Sequence, residues 1–292
     1  MKHVVSVSLG TSKRDHAAQV QLLGHDVHVE RIGMDGDLDR ARRTIEDLDG
    51  HVAAIGLGGI DRYLVADHKR YEILDAKHLA EAASKTPVVD GSGLKDTWER
   101  WVIEDLINKG VLRPTMSVLM VSALDRFGMA ETFYQHGFSV LAGDLIFGSH
   151  INYPIESLDE LIELGRKLLP EMVKLPFSQL YPTGDLQTGE DDRYVDYFRN
   201  ADIIAGDFHF IRRHAPPQLD QKLLVTNTTT EADRVEFMAR GARQIITTTP
   251  SIAGRTFGTN VMEALLVAVT GVLPEEEAWP SVVQRARSYL AG

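Results

Sequence analysis

Hydrophobic and polar positions follow one repeated pattern along most of the chain. A short apolar run rich in β-branched residues is followed by a polar loop containing glycine, and then by a stretch with helical periodicity. The apolar runs are continuous rather than alternating, which is typical of strands covered on both faces. The pattern predicts strands over residues 2–9, 27–32, 52–57, 86–89, 116–122, 139–145, 202–205, 222–226 and 244–248, and a small hairpin from residues 63–66 and 71–74.

Several of the intervening helices carry start signals. Ser157 and Thr230 each stand three positions before an acidic residue, as in a capping box, and Asp96 precedes Glu99 in the same way. The alternation of strands and helices predicts an α/β fold of two Rossmann-like lobes with mainly parallel sheets.

The segment 110–114 is the predicted boundary between the lobes, because its proline ends any helix that precedes it. This boundary predicts an N-terminal substrate-binding domain over residues 1–112 and a C-terminal, Rossmann-like nucleotide-binding domain over residues 113–292. Within the second domain, the irregular stretch 175–192 is either a linker or a binding loop or lid.

Composition restricts the possible functions. The chain carries 31 Lys and Arg against 42 Asp and Glu, a net charge of −11, which argues against nucleic acid and anionic membranes as partners. It has no cysteine, which excludes disulfides, thiolate metal sites and a cysteine nucleophile. Because it has neither a signal-peptide pattern nor a long apolar stretch, we expect a cytoplasmic protein. The sequence leaves open whether copies form a homo-oligomer.

The loops after the predicted strands are polar, and ligands of parallel sheets bind at that edge. Cations recur there, which predicts a small anionic or polyhydroxyl substrate, although turns of this kind also need glycines and hydroxyl caps for structural reasons. The candidate substrate-binding residues are Thr11, Ser12, Lys13, Arg14, Gly58, Gly59, Ser92, Arg255 and Asn260.

Lys95 and Asp61 are the predicted catalytic pair. Each follows a predicted strand, and a partly desolvated lysine beside a carboxylate can move a proton to or from a hydroxyl. The alternative is an ordinary ion pair between the two side chains.

Residues 116–144 permit a dinucleotide-binding βαβ unit. Asp144 follows the first turn by about 20 residues, where such a unit places a ribose-binding acid. Arg126 and the amides around Gly128 are candidates to hold phosphate, although the turn has one glycine instead of the usual three, and Asp125 is a further candidate cofactor-binding residue. The alternative makes Arg126 a surface residue and Asp144 a strand end.

No metal site is predicted. The pattern from Asp35 to Glu46 is similar to a calcium loop, but Arg40 stands where the sharp turn needs glycine. His209 and His214, with Asp207, lack the spacing of a zinc motif.

Residues 5–15, 56–61, 89–95 and 254–260 resemble a bacterial family commonly labelled quinate 5-dehydrogenase. The resemblance implies oxidation of the quinate 5-hydroxyl to 3-dehydroquinate with NAD or NADP, with a Lys–Asp pair at the hydroxyl. Residues 226–229 are similar to an Asn-containing loop near the nicotinamide in shikimate and quinate dehydrogenases, which adds Asn227 and Thr228 to the candidate cofactor residues. The alternative function is a two-lobed protein that binds an anionic or phosphorylated metabolite without redox chemistry, as a sensor or a non-redox enzyme.

Overall fold

A computed structural model describes residues 1–180, 194–249, 251–252 and 255–291 of the chain. It confirms the predicted α/β class, with two five-stranded sheets in which nearly all neighbouring strands run parallel. None of the helices in these ranges has the length and hydropathy needed to cross a bilayer.

The first sheet has the strand order β2-β3-β1-β4-β7. Its strands are β1 (Lys2–Ser8), β2 (His16–Leu22), β3 (His25–Gly33), β4 (Ala54–Gly58) and β7 (Val88–Val89). The pattern of continuous apolar runs does not predict β2, which lies antiparallel to β3 at the sheet edge. Exposed and less exposed residues alternate along β2, as expected for a strand with one face in solvent.

The second sheet has the order β12-β11-β10-β8-β9 and is entirely parallel. Its strands are β8 (Ser117–Met120), β9 (Ser139–Ala142), β10 (Ile203–Gly206), β11 (Leu223–Thr226) and β12 (Gln244–Thr247). The direction of winding reverses between β8 and β10, the position at which sheets of this kind usually bind ligands. The predicted strand 139–145 ends early, because Asp144–Gly148 forms a turn of π-helix.

The predicted hairpin is formed by β5 (Tyr63–Ala66) and β6 (Lys69–Glu72), which pair antiparallel. Asp67 and His68 at its tip both have positive φ angles, of 52° and 59°, as a two-residue turn of this hand requires. Two further short strands, β13 (Ser251–Ile252) and β14 (Arg255–Thr256), also pair antiparallel.

Twelve α-helices lie within the described ranges. They are α1 (Leu38–Leu48), α2 (Leu74–Ala80), α3 (Ser92–Lys95), α4 (Trp98–Asn108), α5 (Phe127–Gln135), α6 (Leu158–Met172), α7 (Phe177–Leu180), α8 (Val195–Asn200), α9 (Phe208–His214), α10 (Glu231–Ala239), α11 (Thr259–Thr270) and α12 (Trp279–Ala291). Ser157 and Thr230 cap α6 and α10 as predicted. Asp96 instead ends α3 and is not the cap of α4.

The last helices return to the first sheet. α11 packs against β1 and β4, and its apolar residues share a buried cluster with Val4, Trp98 and Trp279. The two sheets lie on either side of the predicted boundary. The predicted second domain, residues 113–292, nevertheless includes α11 and α12, which pack with the first lobe. A second apolar cluster spans both lobes and includes Ile103 of α4 and Phe127 of α5.

Candidate active site

Lys95 lies between two carboxylates where the lobes meet. Its Nζ is 2.8 Å from Asp61 Oδ1 and 2.8 Å from Asp125 Oδ1. Asp61 follows β4 in the first lobe, whereas Asp125 follows β8 in the second. The structure therefore brings together the two predicted catalytic residues and adds Asp125, which the sequence analysis places with the cofactor.

The pKa values of Asp61, Lys95 and Asp125 differ strongly from those of free side chains. Burial raises the pKa of Asp61 to about 7; the Lys95 ammonium opposes this shift and the Asp125 carboxylate adds to it. Burial disfavours charged Lys95, but Asp125 and Asp61 together raise its pKa above the ordinary value. Burial also disfavours ionised Asp125, yet Lys95 and Arg126 hold the pKa of Asp125 below its usual range. Of the three groups, Asp61 is thus the one whose pKa lies nearest neutrality.

Two buried carboxylates that the sequence analysis does not single out position the segment that carries Lys95. Asp90 Oδ2 accepts hydrogen bonds from the amides of Arg62 and Tyr63, just beyond Asp61, and its Oδ1 accepts from the Ser92 hydroxyl at 2.8 Å. The Ser92 hydroxyl thus donates to Asp90, and its substrate role stays a prediction.

Glu263 of α11 also binds the segment that carries Lys95. Its two carboxylate oxygens accept hydrogen bonds from the amides of Gly91, at 2.9 Å, and Leu94, at 3.0 Å. Burial raises the pKa of Glu263 to about 8. Because the partners are far apart in sequence, no local motif predicts this contact.

Replacing Glu263 with alanine should lower the free energy of unfolding by about 2–5 kcal/mol. The variant leaves the buried Gly91 amide without its acceptor, leaves the Leu94 amide with the Gly91 carbonyl alone, and opens a void in the core. Urea denaturation measures the loss, with the exposed Glu277→Ala as matched control. Equal stabilities of the two variants would contradict the role of Glu263.

Gly58 and Gly59 allow neighbouring segments of the chain to approach closely. A Cβ on Gly58 would lie 3.0 Å from the Asn260 side chain, and one on Gly59, which has a φ of +70°, would lie 2.7 Å from the Gly10 amide. Asn260 in turn donates a hydrogen bond to Ser6 Oγ at 3.0 Å. Gly58 therefore packs against Asn260, and Gly59 packs against the loop that follows β1.

The loop after β1 contacts the second lobe through Arg14 and His209, and the region around this contact is termed the mouth. Thr11 caps the 3₁₀ turn Ser12–Arg14, and the Ser12 amide donates to Asp35. Arg14 Nη1 lies 3.4 Å from His209 Nε2, which belongs to the second lobe.

Arg31 adds a second guanidinium at this mouth, which the sequence analysis missed because β3 carries it. Its Nη2 donates to Ser8 Oγ at 3.0 Å, and its Nη1 donates to Asp15 at 2.7 Å. Burial and the charge of Arg14 lower the pKa of Arg31, with Asp15 opposing this shift. The side chain of Arg255, a predicted substrate residue, lies outside the described residues.

Arg126 is not a surface residue. Its side chain is 3% exposed, pairs with the fully buried Glu99 and lies 3.5 Å from Asp207 Oδ2. Asn227, after β11, donates to the same Asp207 oxygen at 2.7 Å. Thr228 follows Asn227 in this loop. Arg126 is thus held by protein carboxylates, so its placement differs from that of a phosphate-binding side chain.

The turn after β8 is also occupied by protein groups. Asp144 accepts hydrogen bonds from the amides of Ala123, at 3.1 Å, and Leu124, at 2.8 Å. Burial raises the pKa of Asp144 to about 6, although these two amide bonds oppose the shift. A Cβ on Gly128 would lie 2.9 Å from the Lys95 carbonyl oxygen, so the start of α5 packs against α3. The predicted phosphate cradle is therefore filled by Asp144 and by the first lobe.

Comparison with protein families gives a match over more than half of the chain. A family described as Domain of unknown function (DUF8754) matches residues 93–286. The chain belongs to the DUF8754 family. A second family, Domain of unknown function (DUF8753), matches residues 3–90. This division falls between Asp90 and the segment that carries Lys95. No curated protein matches the chain.

Solved structures show distant similarity to this DUF8754 member. Shikimate 5-dehydrogenase from Thermus thermophilus in complex with shikimate has a TM-score of 0.37 at 12% identity, over 100% of both chains. The NAD-dependent malic enzyme from Thermotoga maritima has a TM-score of 0.36 at 12% identity, over 100% of this chain and 84% of that one. A galactofuranose binding protein has a TM-score of 0.36 at 11% identity, over 99% of both chains. All three TM-scores are below 0.5.

Proposed function

We propose that the protein is an NAD(P)-dependent dehydrogenase that oxidises a hydroxyl of a cyclic polyol acid, such as quinate to 3-dehydroquinate. The observation that carries the proposal is the buried Lys95 ammonium held 2.8 Å from both Asp61 and Asp125 at the junction of the lobes. The sequence resemblance to the family labelled quinate 5-dehydrogenase supplies the substrate class.

In this proposal, Asp61 takes the proton of the substrate hydroxyl. Its raised pKa makes it a base that ionises near neutral pH, as general base catalysis requires. Lys95 stays charged and stabilises the negative oxygen that forms, while Asp125 holds the ammonium in place. Arg14 and Lys13, at the mouth, are the proposed partners of the substrate carboxylate.

NAD or NADP, when bound, would supply the acceptor for the hydride. The turn after β8 does not fit the pyrophosphate of such a cofactor, because Asp144 occupies its amides and Arg126 is paired with Glu99. Asn227 and Thr228 remain the candidates for contact with the nucleotide.

A titration followed by an activity assay tests the proposal. Protein fluorescence should report binding of NAD or NADP, and absorbance should then report quinate-dependent reduction of the nucleotide. The Asp61→Asn variant is expected to bind nucleotide like the unaltered protein and to lose turnover. If neither nucleotide binds at millimolar concentration, the dehydrogenase proposal fails.

The pH dependence of quinate oxidation follows from Asp61. Below a pH of about 7 its carboxyl is protonated and cannot accept the substrate proton, so kcat/KM should rise about tenfold per pH unit and level off above 7. The measurement is a pH profile of kcat/KM from about 5.5 to 9. A flat profile across this range would exclude Asp61 as the base.

The filled turn after β8 favours a second candidate function. A two-lobed protein that binds an anionic or phosphorylated metabolite without redox chemistry needs no dinucleotide cradle, and Arg14, Arg31 and Lys13 offer cations at the mouth. Thermal shift measurements with quinate and with sugar phosphates, in the absence of nucleotide, test it. A ligand shift that disappears in Arg14→Ala, together with no nucleotide binding, would favour this candidate.

A further inference from the structure

Two histidines and a glutamate converge at the amino end of the first sheet, far from Lys95. His3 of β1 and His28 of β3 are direct neighbours in the parallel register, and their ring centroids lie 5.0 Å apart. Glu30 stands two residues after His28, so both side chains point to the same face of the sheet. In the described part of the chain, this is the one group of three such residues whose ligand atoms all lie within 4.8 Å of one another.

We propose that His3, His28 and Glu30 bind a divalent transition metal of the zinc type. Two imidazole nitrogens and one carboxylate oxygen are a ligand set that zinc uses in proteins, with water in the fourth position. Tetrahedral zinc with bonds near 2.1 Å needs ligand atoms about 3.4 Å apart. The distance from His3 Nε2 to Glu30 Oε2 is already 3.5 Å, and side-chain rotations of His28 supply the rest.

The Nε2 atom of His3 also faces the carboxylate. It is buried, it makes no hydrogen bond to the described residues, and it lies 3.5 Å from Glu30 Oε2, where both atoms can turn to a shared ion. The side chains of His3 and Glu30 are 36% and 40% exposed, so the group borders solvent.

The backbone around His3 is hydrogen-bonded on both sides. β1 pairs with β3 on one side and with β4 on the other, and the His3 carbonyl accepts the Ala53 amide at 2.8 Å. Ser8, at the opposite end of β1, is about 17 Å from His3 at the usual rise per residue. The metal would thus link β1 to β3 and would not contact the reacting groups.

Titration of Zn²⁺ into the chelator-treated full chain tests the proposal by calorimetry. We expect one strongly bound Zn²⁺ per chain, at least tenfold weaker binding in His28→Ala and Glu30→Gln, and unchanged binding in His25→Ala. His25 is the matched control, because it lies exposed on the same strand, outside the group.

A second measurement uses Co²⁺ as a spectroscopic probe of the same site. Visible absorption bands of bound Co²⁺ should appear in the unaltered protein and in His25→Ala, and should be lost in His28→Ala. Circular dichroism confirms that each variant is folded. Absence of tight Zn²⁺ binding, or equal binding in His28→Ala and His25→Ala, would overturn the proposal.

Discussion

Replacing Lys95 with methionine is expected to lower kcat for quinate oxidation by about 10²–10³-fold, the usual cost of removing a group that stabilises a developing negative oxygen. The methionine keeps most of the side-chain volume but removes the charge that holds Asp61 and Asp125 and stabilises the developing negative oxygen. Steady-state kinetics measures the change.

The control for this variant is Lys109→Met, since Lys109 is 65% exposed and pairs with Asp105 on the surface. It should retain full activity. Nucleotide affinity should be similar in both variants, because Lys95 acts on the hydroxyl and not on the cofactor. Unchanged turnover in Lys95→Met would remove Lys95 from the mechanism.

Replacing Arg126 with methionine is expected to lower the free energy of unfolding by about 3–5 kcal/mol, the usual cost of removing one partner of a buried ion pair. The variant leaves Glu99 fully buried without its guanidinium, and it also removes the positive charge next to Asp125 and Asp207. Denaturant unfolding, followed by circular dichroism, gives the value.

A double variant separates loss of charge pairing from loss of packing. Adding Glu99→Gln to Arg126→Met removes the uncompensated carboxylate, so the double variant should be more stable than Arg126→Met alone. The exposed Arg199→Met should change stability by less than about 0.5 kcal/mol. A loss that Glu99→Gln does not reduce would mean that packing, and not charge, explains the effect.

The candidate site shows how far sequence reasoning extends. Lys95 and Asp61 could be paired in advance because each follows a parallel strand of the same sheet, and such strand ends meet at one edge. Asp125 could not be added, because it follows a strand of the other sheet and its contact depends on how the lobes pack. Glu263 was missed for the same reason, since its partners Gly91 and Leu94 lie far away along the chain.

At the turn after β8, the sequence pattern does not reveal which groups bind the backbone amides. The spacing of Asp144 from this turn matches a ribose-binding acid, but spacing does not tell whether a carboxylate faces solvent or turns inward. In the structure it binds the amides of Ala123 and Leu124. Buried amides need a hydrogen-bond acceptor, and here the acceptor is the Asp144 carboxylate of the protein itself.

The sequence by itself determined the α/β class, most strand positions and the hairpin, because strands covered on both faces need continuous apolar runs and helices need local caps. It did not reveal β2, whose alternating pattern follows from solvent on one face. Tertiary structure alone decided that α11 and α12 return to the first sheet, that Arg126 is buried, and that His3 meets His28 and Glu30. The physical reason is that periodicity reports how much of each element is buried, whereas only packing decides which buried faces and which charges meet.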